Sequence, residues 1–124
     1  MEKILLVGFG GMAGALSRYA ITLFSLEHLG LNFPYGTLIS NVTGCFIVGA
    51  VMSAISERML LNENMRLLLV VGFAGGLTTF SSFAFETVNV FQQRDIWVPL
   101  LNIFANMFLG FLAVLFGAAF VKLF

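Results

Sequence analysis

The chain has 124 residues, 60% of them hydrophobic and 10% charged, with a mean hydropathy of +1.02. Soluble domains carry about 25% charged residues, so a water-soluble globular protein is excluded and an integral membrane protein is expected. Six basic residues against six acidic ones leave zero net charge without the basic footprint of a nucleic-acid binder, and the single cysteine, Cys45, permits no intrachain disulfide and suggests no metal cluster.

Uncharged runs mark four spans, near 4–26, 33–56, 67–91 and 96–122. About 20 apolar residues cross a bilayer as a helix. An all-α integral membrane protein with one transmembrane domain over 1–124 is therefore expected, and any activity resides in the membrane. The first span continues past Arg18 into Leu-rich sequence and lacks a small-residue cleavage site, so it reads as a retained helix and not as a signal peptide. One side of the membrane receives Lys3, Arg58, Arg66 and Lys122, the other Arg94 and, if it snorkels, Arg18. The positive-inside rule then places the N-terminus inside by a small margin, and mixed orientation stays open.

The first span reads "VGFGGMAGALSRY". Gly10 and Gly14 have the G-x-x-x-G spacing that lets two helix backbones approach, a packing face. Arg18 costs at least ~2.5 kcal/mol inside a span unless it snorkels or finds partners. A snorkelling side chain and a place at a water-filled vestibule are equal readings.

In the second span, "PYGTLISNVTGCFIVG", Thr37 and Asn41 share a helical face, with Ser40 and Thr43 flanking. The flanking hydroxyls are expected to bond their own i−4 carbonyls. Asn41 cannot satisfy its amide that way, and its NH2 can donate to a partner helix, water or an anion. Cys45 reads as a small buried hydrophobe.

The third span carries "GFAGGLTTFSSFAFE". Gly75, Gly76, Thr78 and Thr79 are weak helix formers near its middle, where the backbone can unwind. A broken helix frees carbonyls able to hold a cation, while the hydroxyls beside it, Ser81 and Ser82, can donate to an anion. Phe80 and Phe83, three apart, can point both rings into one interior space, where positive ring edges offer an anion site without a full charge. Glu86 is placed at the end of this helix, so no carboxylate sits at the centre of a span, which weakens proton-coupled transport. His28 is expected in a surface loop.

In the fourth span, "VPLLNIFANMFLGFLAVLFG", Asn102, Asn106 and Gly110 follow one face. Interhelical hydrogen bonding and the lining of a pathway explain the two amides equally well. No nucleophile–base pair, metal-ligand spacing or phosphate-binding loop is present, so an enzyme is not expected. Four helices hardly enclose a hydrated path, and a twofold dimer is the simplest closed assembly.

Taken in this order, "GGMAGALSRY", "GTLISNVTG" and "GFAGGLTTFSSFAFE" resemble the small bacterial fluoride channels of the CrcB or Fluc family, over nearly the whole chain. The resemblance implies a fluoride-selective channel for passive export, multi-pass in the bacterial inner membrane, built as an antiparallel, dual-topology homodimer with two anion pores. It implies that Phe80, Phe83 and Asn41 line the pore and that Arg18 lies near the vestibule. The carbonyls of Gly75 and Thr78 would surround a structural sodium ion (Na+) at the dimer interface. The expected partners are fluoride, the lipid bilayer and a second copy, with no nucleic acid. The fourth span departs from the family, which usually carries Tyr and Ser or Thr where Asn102, Asn106, Gly110 and Val114 stand here, so Ser81 and Ser82 would supply donors instead. Two other readings compete. A small dual-topology proton-coupled exporter calls for an acid in the first span, where none stands; a non-transporting assembly subunit leaves Asn41, the hydroxyl cluster and the helix break unexplained.

Overall fold

The structure, a computed structural model, describes residues 1–56, 62–93 and 96–123. Arg58 and Arg94, which entered the reading of charge balance, lie outside the described residues. All described secondary structure is helical: α1 (Glu2–His28), α2 (Tyr35–Ser56), α3 (63–77), α4 (Phe80–Gln93) and α5 (Trp97–Lys122). α3 and α4 together form one membrane-length stretch, Glu63–Gln93, so four stretches are long and apolar enough to span a bilayer. The protein is an all-α, multi-pass membrane protein.

Its packing is inverted relative to a soluble bundle. Large apolar side chains point outward, with Phe9 62%, Phe104 61% and Phe111 70% exposed, because lipid solvates them as well as protein would. The interior is small and polar: Gly10 and Gly14 on α1, Thr37, Ser40, Gly44 and Gly49 on α2, and Asn102, Asn106, Gly110 and Gly117 on α5. Backbones touch at two crossings. Between α1 and α3, a methyl group added at Gly10 would collide with the Leu68 carbonyl and one at Gly14 with the Phe73 carbonyl, which confirms the packing face read for this pair. Between α2 and α5, one at Gly49 would strike the Val114 carbonyl and one at Gly117 the Phe46 carbonyl.

Helix ends follow local chemistry. His28 is the last residue of α1 and not part of a loop; its exposed ring donates from Nδ1 to the Phe24 carbonyl at 3.0 Å and stacks on Phe24. Two residues on, Gly30 takes a φ of +82°, a left-handed turn that glycine adopts without steric penalty. α3 opens at Asn62, whose side chain accepts from the Met65 amide at 3.0 Å.

α3 is wound wide over Leu67–Ala74, in π-helical form, and returns to α-helical winding at Gly75–Leu77. The chain then leaves the helix for two residues. Thr78 is extended, with φ −80° and ψ 155°, and α4 restarts at Phe80. The unwinding expected near Gly75 and Gly76 is thus confined to the threonines after them. Gly76 stays helical because it packs against α1, where a methyl group would hit the Gly11 carbonyl, whereas Thr79 suits the start of a helix: its Oγ1 accepts from the Ser82 amide at 3.2 Å.

The crossings yield a paired expectation. Gly14→Leu forces a side chain into the rigid carbonyl of Phe73 and is expected to destabilise the protein by at least ~1–3 kcal/mol. Gly8→Ala, whose added carbon meets nothing within 4 Å, is expected to change stability by less than ~0.5 kcal/mol. Thermal unfolding in detergent, followed by size-exclusion recovery, measures both.

Candidate functional site

The helix break creates the site. In an unbroken α-helix the Thr79 amide would bond the Gly75 carbonyl, and the Ser82 amide the Thr78 carbonyl. Here both amides are taken by side chains. Thr79 N–H donates to Asn41 Oδ1 at 2.8 Å, and Ser82 N–H to Thr79 Oγ1. Asn41 also returns a bond, from Nδ2 to the Thr79 carbonyl at 3.3 Å, so its carboxamide holds the Thr79 backbone on both sides of the α-carbon. The carbonyls of Gly75 and Thr78 are thereby released from helical pairing. The Thr78 hydroxyl turns back to the Ala74 carbonyl at 2.9 Å, and its methyl group fills the space over Gly44 that a β-carbon would occupy.

From Asn41 a chain of amides runs across to α5 and back. Asn41 Nδ2 donates to Asn106 Oδ1 at 2.9 Å. Asn106 Nδ2 donates to Asn102 Oδ1 at 2.9 Å and to its carbonyl at 3.0 Å. Asn102 Nδ2 donates to Thr87 Oγ1 at 2.8 Å, and the Thr87 hydroxyl ends the chain on the Phe83 carbonyl at 2.7 Å. Asn102 and Asn106 are 1% and 6% exposed, and satisfied hydrogen bonding is what makes such burial tolerable. Sequence spacing did not reveal Thr87. Its signal was its place one turn after Phe83, on the side of α4 that α5 covers.

Beside this chain lies a cavity of about 360 Å3, lined by Asn41, Gly44, Cys45, Val48, Thr78, Thr79, Phe80, Phe83, Asn106, Met107 and Val114. Phe80 and Phe83 meet with ring centroids 5.7 Å apart and planes tilted by 51°. Phe83 is 8% exposed, whereas Phe80 is 76% exposed, so one ring belongs to the packed wall and the other to the open side. Cys45, read as a buried hydrophobe, is half-buried in this wall, with Sγ facing the place where Gly110 has no side chain.

The remaining candidates lie elsewhere. Ser81 and Ser82 gather their hydroxyls on Thr79 Oγ1, both at 3.2 Å, and do not line the cavity. Asn102 stands behind Asn106. Arg18 is half-buried on α1, outside the cavity lining, and its guanidinium makes no hydrogen bond or ion pair with the described residues. Gly75 is exposed at the surface. Among the described residues no three His, Cys, Asp or Glu side chains converge, so backbone carbonyls are the oxygen donors the break offers a cation.

Two sequence expectations are corrected. Glu86 does not end its helix, because α4 runs on to Gln93; it is half-buried in mid-helix, where Thr37 Oγ1 donates to its Oε1 at 2.8 Å and Oε2 is buried without a protein partner. An acid therefore does face the bundle interior. Ser40 does not back-bond to its own helix either; its hydroxyl is fully buried and unpartnered.

Residues 5–118 match the family described as CrcB-like protein, Camphor Resistance (CrcB). The fluoride-specific ion channel FluC of Solibacter usitatus is 43% identical over 116 residues, covering 94% of this chain and 95% of that protein. The channel of the same name from Clostridium perfringens is 42% identical over 120 residues, covering 94% of each. That of Dehalococcoides mccartyi is 43% identical over 118 residues, covering 95% of this chain and 91% of its own.

If Asn41 satisfies the broken helix, Asn41→Ala leaves the Thr79 N–H and carbonyl without that partner inside the membrane. The variant is expected to lose about 1–3 kcal/mol of stability. Amide hydrogen exchange at Thr79 should quicken while exchange within α1 stays as in the parent.

Proposed function

This chain belongs to the CrcB family, and from that premise we propose that it is a fluoride-specific ion channel, not an enzyme, with the ion passing through the cavity between α2, α4 and α5. The observation that carries the reading is convergence: Asn41, Phe80, Phe83 and Asn106, from three separate helices, meet on one cavity beside a helix break. Fluoride holds its water tightly, and a passage must replace that water with donors while binding weakly enough to release the ion. Amide N–H groups and phenyl edges are neutral donors of this kind. Among the described residues no Lys or Arg lines the cavity to trap the anion. A bacterial inner membrane with a negative interior then drives fluoride out, by ~2.3 kcal/mol per charge for each 100 mV. Among the described residues Glu86 is the interior acid that a proton-coupled exporter would use, but relatives 43% identical over nearly their whole length are named for fluoride conduction.

The single chain leaves the cavity open at Phe80, and the assembly we favour is an antiparallel homodimer in which a second copy closes that side, giving two pores. The small charge bias across the membrane agrees with dual topology. The released carbonyls of Gly75 and Thr78 suit a hard cation such as sodium, and a twofold pair of chains would bring four of them together. That ion would supply a fixed positive charge between copies. Arg18, without a partner among the described residues, fits a vestibule, where it would raise the local anion concentration.

Liposomes loaded with potassium fluoride and opened with a potassium ionophore measure conduction. Phe80→Ile and Phe83→Ile are each expected to slow fluoride efflux at least tenfold with assembly intact; unchanged efflux in both would remove the rings from the path. Purification in a bulky organic cation in place of sodium is expected to lower the thermal stability of the dimer.

A further inference from the structure

The amide chain has a direction, and the helix break sets it. Asn41 must turn Oδ1 toward the Thr79 N–H, which leaves Nδ2 facing α5. Asn106 must then present Oδ1 to Asn41 and Nδ2 to Asn102; Asn102 in turn presents Oδ1 to Asn106 and Nδ2 to Thr87. The last hydrogen goes to a carbonyl, which can only accept.

A chain so anchored spends its donors internally. Both N–H groups of Asn41 have acceptors, Asn106 Oδ1 and the Thr79 carbonyl, and both of Asn106 have theirs on Asn102. The two amides that line the cavity therefore offer an arriving anion nothing free. The longest of these four bonds, 3.3 Å from Asn41 Nδ2 to the Thr79 carbonyl, is the easiest to exchange.

We propose that this closed chain sets ion selectivity: an anion gains a donor from Asn41 only by displacing an acceptor the protein already supplies. Fluoride, the smallest halide and the strongest hydrogen-bond acceptor among them, competes with an amide carbonyl. Chloride, larger and a weaker acceptor, does not. The inference rests on the cavity being the fluoride path. Asn102 and Thr87 enter it as positioning residues, since neither lines the cavity. Without the Thr87 hydroxyl, Asn102 Nδ2 loses its acceptor and the carboxamide is free to turn over. Asn106 then loses the Oδ1 that holds its Nδ2, and a spare donor becomes available to the cavity.

The test is halide efflux from liposomes holding the assembled protein, loaded with potassium fluoride or potassium chloride. In Thr87→Val and in Asn106→Ala, chloride efflux is expected to rise so that the fluoride-to-chloride ratio falls at least tenfold, while Thr87→Ser, which keeps the hydroxyl, retains the parent ratio. A parent-like ratio in assembled Thr87→Val overturns the proposal. So does loss of fluoride efflux in Asn106→Ala with Thr87→Val unaffected, which would make Asn106 a direct ligand. Should Asn106→Ala fail to assemble, Thr87→Val decides alone, because its hydroxyl lies outside the cavity. Absence of fluoride efflux from the parent protein is a different result, since it removes the channel reading itself.

Discussion

One residue's backbone, that of Thr79, organises this molecule. A backbone opened in mid-membrane leaves polar groups that lipid cannot satisfy, at several kcal/mol each. The Asn41 carboxamide lowers that penalty by binding both the N–H and the carbonyl of Thr79, while the Gly75 and Thr78 carbonyls stay released. Because the solution uses a side chain of α2, the break also fixes where α2 stands. Four residues earlier on the same face, Thr37 holds Glu86 from α4, so α2 is stitched to α4 at two levels, in antiparallel sense. The single bond left over on Asn41 then recruits α5 through Asn106.

Such stitching requires close backbones, and in lipid no hydrophobic force brings helices together. Glycines supply the approach. At the α2–α5 crossing Gly49 and Gly117 admit opposing carbonyls, which draws Asn41 and Asn106 within hydrogen-bond reach. At the α1–α3 crossing Gly10, Gly14 and Gly76 hold the last turns of α3 against α1, so the break follows a segment that cannot drift. Gly44 serves a smaller purpose, leaving room for the methyl group of Thr78 and so permitting its extended backbone.

The spans were legible from charge spacing alone, and the glycine face of α1 from its four-residue repeat. Asn41 was legible as an amide that a lipid-facing helix has no reason to carry, and Phe80 and Phe83 as two rings spaced to share one helical face. What spacing conveys is which residues share a face of one helix; it does not say which face meets which. Hence Asn102 and Asn106 were placed on one stripe, but their direction and their terminus at Thr87 were not visible. Ser81 and Ser82 illustrate the same limit: as hydroxyls near a break they suit an anion, yet the restart of α4 directs them to Thr79. Glu86 was misplaced because a charge closing the long uncharged run of the third span looks like a helix end, whereas the helix continues through Gln93.

A neutral lining also bears on how fast an ion can leave. A fixed cation beside the path would hold fluoride by direct Coulomb attraction, which grows as the local dielectric falls. Exchange of acceptors at an amide works differently, because the protein acceptor that was displaced is ready to take its donor back when the ion moves on. On the proposed path the 3.3 Å bond between Asn41 and the Thr79 carbonyl would be such a place, since it is longer than the 2.8 Å bond that takes up the Thr79 N–H. On the proposed path the same carboxamide would separate two duties by atom, with Oδ1 holding the Thr79 N–H and Nδ2 exchanging its acceptor for the ion.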